Sequence, residues 1–427
     1  MLKKVIYFLI VILVLFIGMV YWSTSSTDQT FKTSQLVNID NVNAINFHDL
    51  DSVLVAASAL YKADEIKILF QGEQYRAAWA TPIKAPVLFL DTLFGGVTIT
   101  KEGGGKQTHS LKLETKEGVE LTLRGINKDP KPLIPEFVKT LGLENIIVDG
   151  ISAQHPYSAI LAAELANKSA IINTKPKVVF LPKQPLLGDY NNKYGNRLFL
   201  LEYETESKTN WTNLSNVSEI VDTKNLQELK LSNTNNIFID KSALIRARLF
   251  DLLVGDWDRH TKQWGWAIQQ TDQTYTAIPI AGDRDNAFIN LEGIIPSILS
   301  NENVVEQLRP FDYEIDFMPG LVYPFDQYFL LNTEENLFIQ EAKQLQLLLN
   351  DEALLKALKV WPSQILDIDG EEIISKIKTR RDNLVSYAKL FKTTIDKKGL
   401  VTQRLKGSED LNLPEQLQAC FECYTKY

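Results

Sequence analysis

Residues 252–266 read LLVGDWDRHTKQWGW, and further along, residues 278–288 read IPIAGDRDNAF. In both stretches charged side chains stand at the end of an apolar run. Asp256, Asp258, Arg259 and His260 follow Leu252–Val254, and Asp283 and Asp285 follow Ile278–Ile280. Charges flanked so closely by core-like residues do not suit a plain solvated turn. Upstream, SALIRARLFDLLVGDW (242–257) sets Ile245, Leu249, Leu252 and Leu253 on one helical face and reaches Gly255, a helix stop, just before the first cluster. Between the clusters, QWGWAIQQ and TYTAIPI alternate as two strands around the polar turn QTDQT. A hairpin returns to where it began, so Asp283 and Asp285 are expected beside Asp258. Converging carboxylates raise one another's pKa unless a cation lies between them. Carboxylates on loops suit Mg²⁺ or Mn²⁺, hard ions that take oxygen ligands and leave room for phosphate oxygens. Arg259 and His260 are then placed to orient the acids or bind phosphate. The plainer alternative is a solvated hairpin base with surface ion pairs.

The totals narrow the choices. A chain of 427 residues with 45% hydrophobic and 23% charged side chains can build two or three packed units. Its net charge of -8 argues against a nucleic-acid partner, since no surplus of Lys and Arg is present to neutralise phosphates. No G-x-S-x-G, H-E-x-x-H or Walker-type run occurs, so hydrolase, zincin and P-loop readings lack support.

Lys3 and Lys4 precede VIYFLIVILVLFIGMVYW (5–22), a run without charge that is long enough to cross most of a bilayer. The next cation is Lys32, so the bias puts the N-terminus inside and the rest outside. The bulky residues of GMVYWST argue for an uncleaved anchor, with a removed signal peptide as the alternative. The expected organisation is a cytoplasmic end (1–4), a transmembrane signal anchor (5–22), a polar stalk (23–49), a strand-rich lobe (50–205), a helical lobe (206–400) and a C-terminal tail (401–427). The body is placed outside the plasma (inner) membrane, in the periplasm of a Gram-negative host. Cys420 and Cys423 are read as a tail disulfide or two plain thiols.

Within the first lobe, IKILF (66–70), APVLFL (85–90), GVTIT (96–100), HSLKLET (109–115), VELTLRG (119–125) and PKVVFLP (176–182) read as strands, and HPYSAILAAELANKSA (155–170) as a helix. Amphipathic helical stretches follow at 334–350, 351–360 and 371–393. Trp257, Trp264 and Trp266 read as core or lobe-interface aromatics ahead of a substrate platform.

GDWDRHTKQW followed by AIPIAGDRDNAF resembles the catalytic and metal-binding segments of atypical protein-kinase-like families: HipA-like kinases, secretory kinases of the Golgi casein kinase type, and spore-coat CotH kinases. In those families an Asp heading a D-R-H or D-x-H loop is the catalytic base or orients the acceptor hydroxyl. A later Asp ahead of an aromatic residue binds the metal that bridges nucleotide phosphates. The resemblance implies Asp258, with Arg259 and His260, in the catalytic position, and Asp283 or Asp285 as metal ligand. Gln263 stands where protein kinases keep a metal-binding Asn. Its longer arm alters the reach, and Asp256 is the residue that would compensate. Upstream, GGGKQTHSLKLETKEGVELTLRGINKD (103–129) is similar to the nucleotide-covering hairpin of a small kinase lobe. There Gly103, Gly104 and Gly105 would let backbone amides approach phosphates. Arg124 stands at the phosphate-pairing Lys, with Lys112 or Lys128 as substitutes, and Arg for Lys is not a conservative exchange. Glu164 is the one acid on the helix whose Glu pairs with that cation. The chain also resembles a group of extracytoplasmic bacterial proteins, without an assigned activity, that share YRAAWATP, GGGKQT and GDWDRH.

Together these readings imply an α+β, two-lobed, protein-kinase-like fold behind one transmembrane helix. It would bind ATP or another nucleotide with Mg²⁺ or Mn²⁺ and transfer a phosphoryl or nucleotidyl group to a protein or glycan acceptor. A non-catalytic kinase-like scaffold of the envelope is the alternative, and a metal-dependent phosphohydrolase a third reading.

Overall fold

An apolar run with no proline folds as one helix, α1 (Leu2–Thr24), in a computed structural model that describes residues 1–27, 34–37, 39, 41–104, 108–129, 134, 136–233 and 236–424. The helix is long and apolar enough to cross a membrane, and its apolar length is exposed. Its C-terminal end is not. Val20, Ser23 and Thr24 are buried against the body. The stretch expected as a stalk therefore begins as a docked segment. Residues 28–33, 38 and 40 lie outside the described residues, and beyond them β1 (Gln35–Leu36) pairs with β2 (Ser52–Ala56) while Phe47 joins the core.

The run IKILF is not a strand. It forms most of α2 (Glu65–Gln71), capped by Asp64, which accepts from the Lys67 backbone N–H at 2.8 Å. A short apolar run fits a strand or a buried helical turn equally well. The cap and the docking of Phe70 on Phe16 of α1 (ring centroids 5.7 Å apart) decide for the helix. The chain then returns to β2 through β3 (Ile83–Pro86), which takes only the start of APVLFL.

The lobe's main sheet is antiparallel, in the order β4 (Val97–Gly103), β5 (Thr108–Thr115), β6 (Glu120–Lys128), β8 (Arg197–Tyr203), β7 (Lys177–Leu181). Side chains alternate between its faces. Leu111, Leu123 and Phe199 fill one face with Leu187 and Tyr194, while Ile126, Leu198 and Leu200 turn to the other. Arg124 lies opposite Ser110 and Leu200 in register, on that second face. The connection from β6 to β7 includes α3 (Glu144–Asp149) and α4 (Ser158–Lys168), the latter rich in Ala and buried on most of its residues.

In the second half, β9 (Val217–Asp222), β10 (Ile237–Ile239), β11 (Trp264–Thr271) and β12 (Thr274–Ala281) form a sheet in the order β10-β12-β11-β9. The β11–β12 hairpin runs in register from Thr271 opposite Thr274 to Trp264 opposite Ala281, as the alternation predicts. Helix α5 (Lys241–Val254), capped by Asp240, stops at Gly255 in the left-handed region (φ 67°). A Cβ at Gly255 would come within 2.7 Å of the Phe311 ring. The helical layer comprises α6 (Pro324–Leu330), α7 (Glu335–Leu348), α8 (Asp351–Leu358), α9 (Glu371–Asp382) and α10 (Leu384–Lys398), with the expected 371–393 helix divided at Asn383. Trp264 stacks on Phe325 at 4.9 Å and Trp266 meets Phe329 at 4.8 Å, so both are core residues.

One buried apolar cluster runs from β2 and β3 through α4 and α5 into α6–α10, so the halves divided at residue 205 share a core. The C-terminal tail belongs to it as well. Leu405, Leu413, Leu417 and Phe421 are buried, the Phe421 N–H donates to the Tyr328 carbonyl at 3.0 Å, and Cys420 and Cys423 form a disulfide. Residues 425–427 lie outside the described residues.

Candidate functional site

Helix α5 carries Arg248 and Asp251 three residues apart on its buried side. The Asp251 carboxylate accepts from Arg284 Nε at 2.8 Å, Arg248 Nη1 at 2.9 Å and Arg259 Nε at 3.1 Å. Arg248 also donates to Asp326 at 2.6 Å and 3.1 Å, and Arg259 to Asp256 at 3.3 Å. Three guanidinium groups and three acids, all buried, thus meet where an unmatched charge would cost several kcal/mol. Burial alone would raise Asp251, but Arg259, Arg284 and Arg248 outweigh it and hold this carboxyl below its ordinary range. Asp256 goes the other way: burial, with Asp251 and Asp258 adding, pushes it up against the pull of Arg259 and Arg284.

This network aims the second acidic segment. Arg259 Nη1 holds the Gly282 carbonyl at 2.8 Å, and the Gly282 N–H donates to the Gln263 carbonyl at 3.0 Å. The open end of the hairpin therefore does bring residues 259–263 against residues 281–284. The next residue, Asp283, takes a left-handed backbone (φ 53°), uncommon outside glycine and frequent where a side chain must be held for use.

That turn sends the acids across to β6. Asp283 Oδ2 accepts from Arg124 Nη1 at 3.1 Å, and Asp285 Oδ2 from Lys128 Nζ at 2.7 Å. Arg124 Nε also donates to Glu202 of β8 at 2.8 Å, and Glu202 accepts from Thr174 Oγ1 at 2.6 Å. At the start of α4, Ser158 Oγ fixes the Asp285 carbonyl at 2.9 Å. A pocket lies here, walled by Arg124, Thr174, Glu202, Asp283, Arg284 and Asp285 among others. Two of its walls are unfinished. Asp283 Oδ1 and both Nη atoms of Arg284 are buried and lack a hydrogen-bond partner. Buried polar atoms left so are uncommon and mark a place for water, an ion or a ligand. Burial would lower Arg124, yet Asp283, Glu202 and Asp285 raise it, so it stays charged. Burial and the neighbouring Asp283 raise Asp285 despite Lys128 and Arg124. In Glu202 burial is the main cause of an upward shift, which Arg124 opposes.

Several expected roles are corrected. The four candidates for metal do not form one set: Asp256 points into the buried arginine network, Gln263 meets Gly282 through its carbonyl, and Asp283 and Asp285 pair with Arg124 and Lys128. Among the described residues no group of three or more His, Cys, Asp or Glu is arranged to hold a metal ion. Arg259 is a buried clamp. Asp258 faces His260, with Oδ1 3.8 Å from Nε2, and neither lines the pocket; burial lowers the His260 pKa. Glu164 pairs with Lys168 on its own helix at 3.1 Å, and the acids that meet Arg124 are Glu202 and Asp283. Lys112, on the face of Arg124 but one row away, pairs with Glu204. Gly103 ends β4, and Gly104 (φ 106°) tolerates no side chain, since a Cβ would fall 1.9 Å from the Thr108 carbonyl oxygen. Gly104 therefore leaves β4 toward β5, while Gly105 lies outside the described residues. Glu202, Thr174, Arg284 and Asp251 escaped the sequence reading. An acid inside the apolar strand RLFLLEY was the available sign of Glu202.

The fold and site define an α+β protein whose strand-rich and helical halves meet at a pocket lined with paired acids and bases. Among solved structures, the chain is similar to the proinflammatory kinase CtkA of Helicobacter pylori, with 14% identity and a TM-score of 0.39, covering 70% of this chain and 96% of that one. It is also similar to HipA of the Shewanella oneidensis MR-1 toxin–antitoxin system, solved with HipB and operator DNA, with 13% identity and a TM-score of 0.31 over 74% of this chain and 68% of that one. No protein-family model and no curated protein matches the chain.

Proposed function

We propose that the pocket between β6 and the 283–285 segment receives the phosphates of a nucleotide with a divalent metal, and that the protein is a membrane-anchored phosphotransferase. One observation carries this reading: two cations of β6, Arg124 and Lys128, face two half-buried acids, Asp283 and Asp285, beside Arg284, whose Nε is held by Asp251 while both Nη atoms lack a partner. Cations and acids in one pocket suit a polyphosphate–metal ligand, whose two parts carry opposite charge. Asp283, with an idle oxygen, and Asp285 fit Mg²⁺, which is held through one or two carboxylates and phosphate oxygens. The metal supplies neutralisation of phosphate charge. Arg124, Lys128 and Arg284 position the anionic groups, which is most of what phosphoryl transfer asks of a protein. To Asp258, half exposed beside His260 and outside the pocket's lining, we assign the orienting of an acceptor hydroxyl.

The pocket now has room for little beyond one water, so the ligand must part Arg124 from Asp283 and Lys128 from Asp285. We place the body outside the cytoplasm, from the lysines before α1. ATP is scarce there, so the donor is another nucleotide or an exported one. A thermal-shift titration with Mg²⁺ or Mn²⁺ plus ATP, or plus GTP or UTP, tests the reading. A ligand bound at about 100 times its Kd adds about 2.7 kcal/mol to stability, and Asp283→Ala should abolish the shift. An unmoved melting temperature with every nucleotide favours the second reading, a non-catalytic scaffold. The finding that Asp283 and Asp285 already have basic partners speaks for that reading.

A further inference from the structure

The way α1 meets the body bears on where the body stands relative to lipid. Three contacts step along the anchor. Lys67 Nζ donates to Thr27 Oγ1 at 2.9 Å, Gln71 Nε2 to Ser23 Oγ at 3.1 Å, and the Phe70 ring packs on Phe16. Helix α2 therefore descends alongside α1 toward the apolar span, with its C-terminal end lowest. On another side, Asn145 Nδ2 donates to the Thr24 carbonyl at 3.0 Å, and the Tyr21 hydroxyl to the Leu141 carbonyl. The junction is stiffened from below the surface. Lys67 lies 3.0 Å from Asp149, which also takes Arg76 through both oxygens, at 3.0 Å and 2.5 Å.

The depth follows from helix geometry. At about 1.5 Å per residue, Phe16 lies about 9 Å inside Trp22, the last residue of the uncharged run. Tyr21 and Trp22, both exposed, are suited to the membrane interface. Phe70 thus touches the anchor below the aromatic level, and Leu141 touches it at that level. Each of the two elements carries an exposed leucine: Leu69 is 55% exposed and Leu141 53%. Beside an apolar helix and at its interfacial depth, these side chains are placed to bury in lipid, where exposure costs them nothing.

We infer that the body is seated in the membrane surface, with Leu69 and Leu141 in the acyl-chain boundary of the leaflet on its own side. The occupant of this face is lipid, and the inference rests on the reading of α1 as a transmembrane anchor. The seat fixes the height and tilt of the pocket above the membrane, which a free stalk would not.

Spin labels on the full chain in phosphatidylethanolamine/phosphatidylglycerol vesicles test it. Cys420 and Cys423 are tied to each other, so introduced cysteines take the label. Four positions suffice: L69C, L141C, the mid-span control V11C, and L347C on α7, where Leu347 is 71% exposed. Labels at 69 and 141 should collide with oxygen at least about threefold more, relative to a water-soluble nickel complex, than the label at 347. If 69 and 141 match 347 while 11 is shielded, the seat is refuted and the anchor stands. If 11 is as open to nickel as 347, the anchor reading falls and the seat falls with it. A double variant, L69S/L141S, gives a label-free measure: with a seat, it should quicken cleavage by protease added on the body's side. An unchanged rate counts against the seat.

Discussion

Asp251 receives three guanidinium groups, and its loss would leave three buried arginines facing two acids. Asp251→Asn should therefore destabilise the protein by about 3–5 kcal/mol, measured by denaturant unfolding. Its pKa lies below the ordinary range, so its contribution is complete above about pH 4 and is lost as pH falls through its folded value. Asp256 has the opposite sign. Its folded pKa lies above the unfolded one, so its contribution declines as pH rises from about 4 through the folded value. Asp256→Asn, which resembles the protonated acid, should cost little and should steepen the loss of stability on acidification relative to neutral pH; melting curves across pH separate the two aspartates. The sequence announced that acids gather here, since Asp256, Asp258, Asp283 and Asp285 all end apolar runs. It did not announce their aims. Arg259 looked like a phosphate ligand because nothing local told that Asp251, eight residues earlier, lies within its reach.

At the level of elements, periodicity served where one pattern fitted one structure. Leu252 and its partners marked α5, and the alternation around Trp264 and Trp266 marked the hairpin. It failed at IKILF, where the deciding contact, Phe16, lies fifty residues away in the anchor. The same helix is held on its other side by a backbone approach. Gly72 has φ 89°, and a Cβ there would come within 2.1 Å of the Glu292 carbonyl oxygen. Gly72→Ala should destabilise by more than about 1 kcal/mol, because it adds a left-handed backbone strain to a contact that only main chain can relieve. Differential scanning calorimetry checks it. Strand β6 shows another limit of local reading. Arg124 was visible, but its acid partner on β8 was not, since register across antiparallel strands, with a shift between Thr108 and Ser110 on β5, is settled by the whole sheet.

For the molecule as a whole, the shared core predicts a single unfolding transition for the two halves, seen at the same temperature by circular dichroism and tryptophan fluorescence. Ending the chain at residue 400 removes Leu405, Leu413, Leu417 and Phe421 from that core. The shortened protein should melt at least about 5 °C lower or fail to fold. The packing of the tail is not legible locally, because its polar residues are frequent and Phe421 finds its partners, Tyr328 and Phe329, far away in the chain. Arg124–Asp283 and Lys128–Asp285 give the molecule a further property. If a metal polyphosphate enters, each basic group trades a carboxylate for a phosphate and each acid trades a base for the metal, so the number of unmet charges does not change. Sodium chloride weakens both arrangements in step, and affinity for such a ligand should drift by only a few-fold between about 0.05 and 0.5 M, unlike the steep fall expected of an open basic patch.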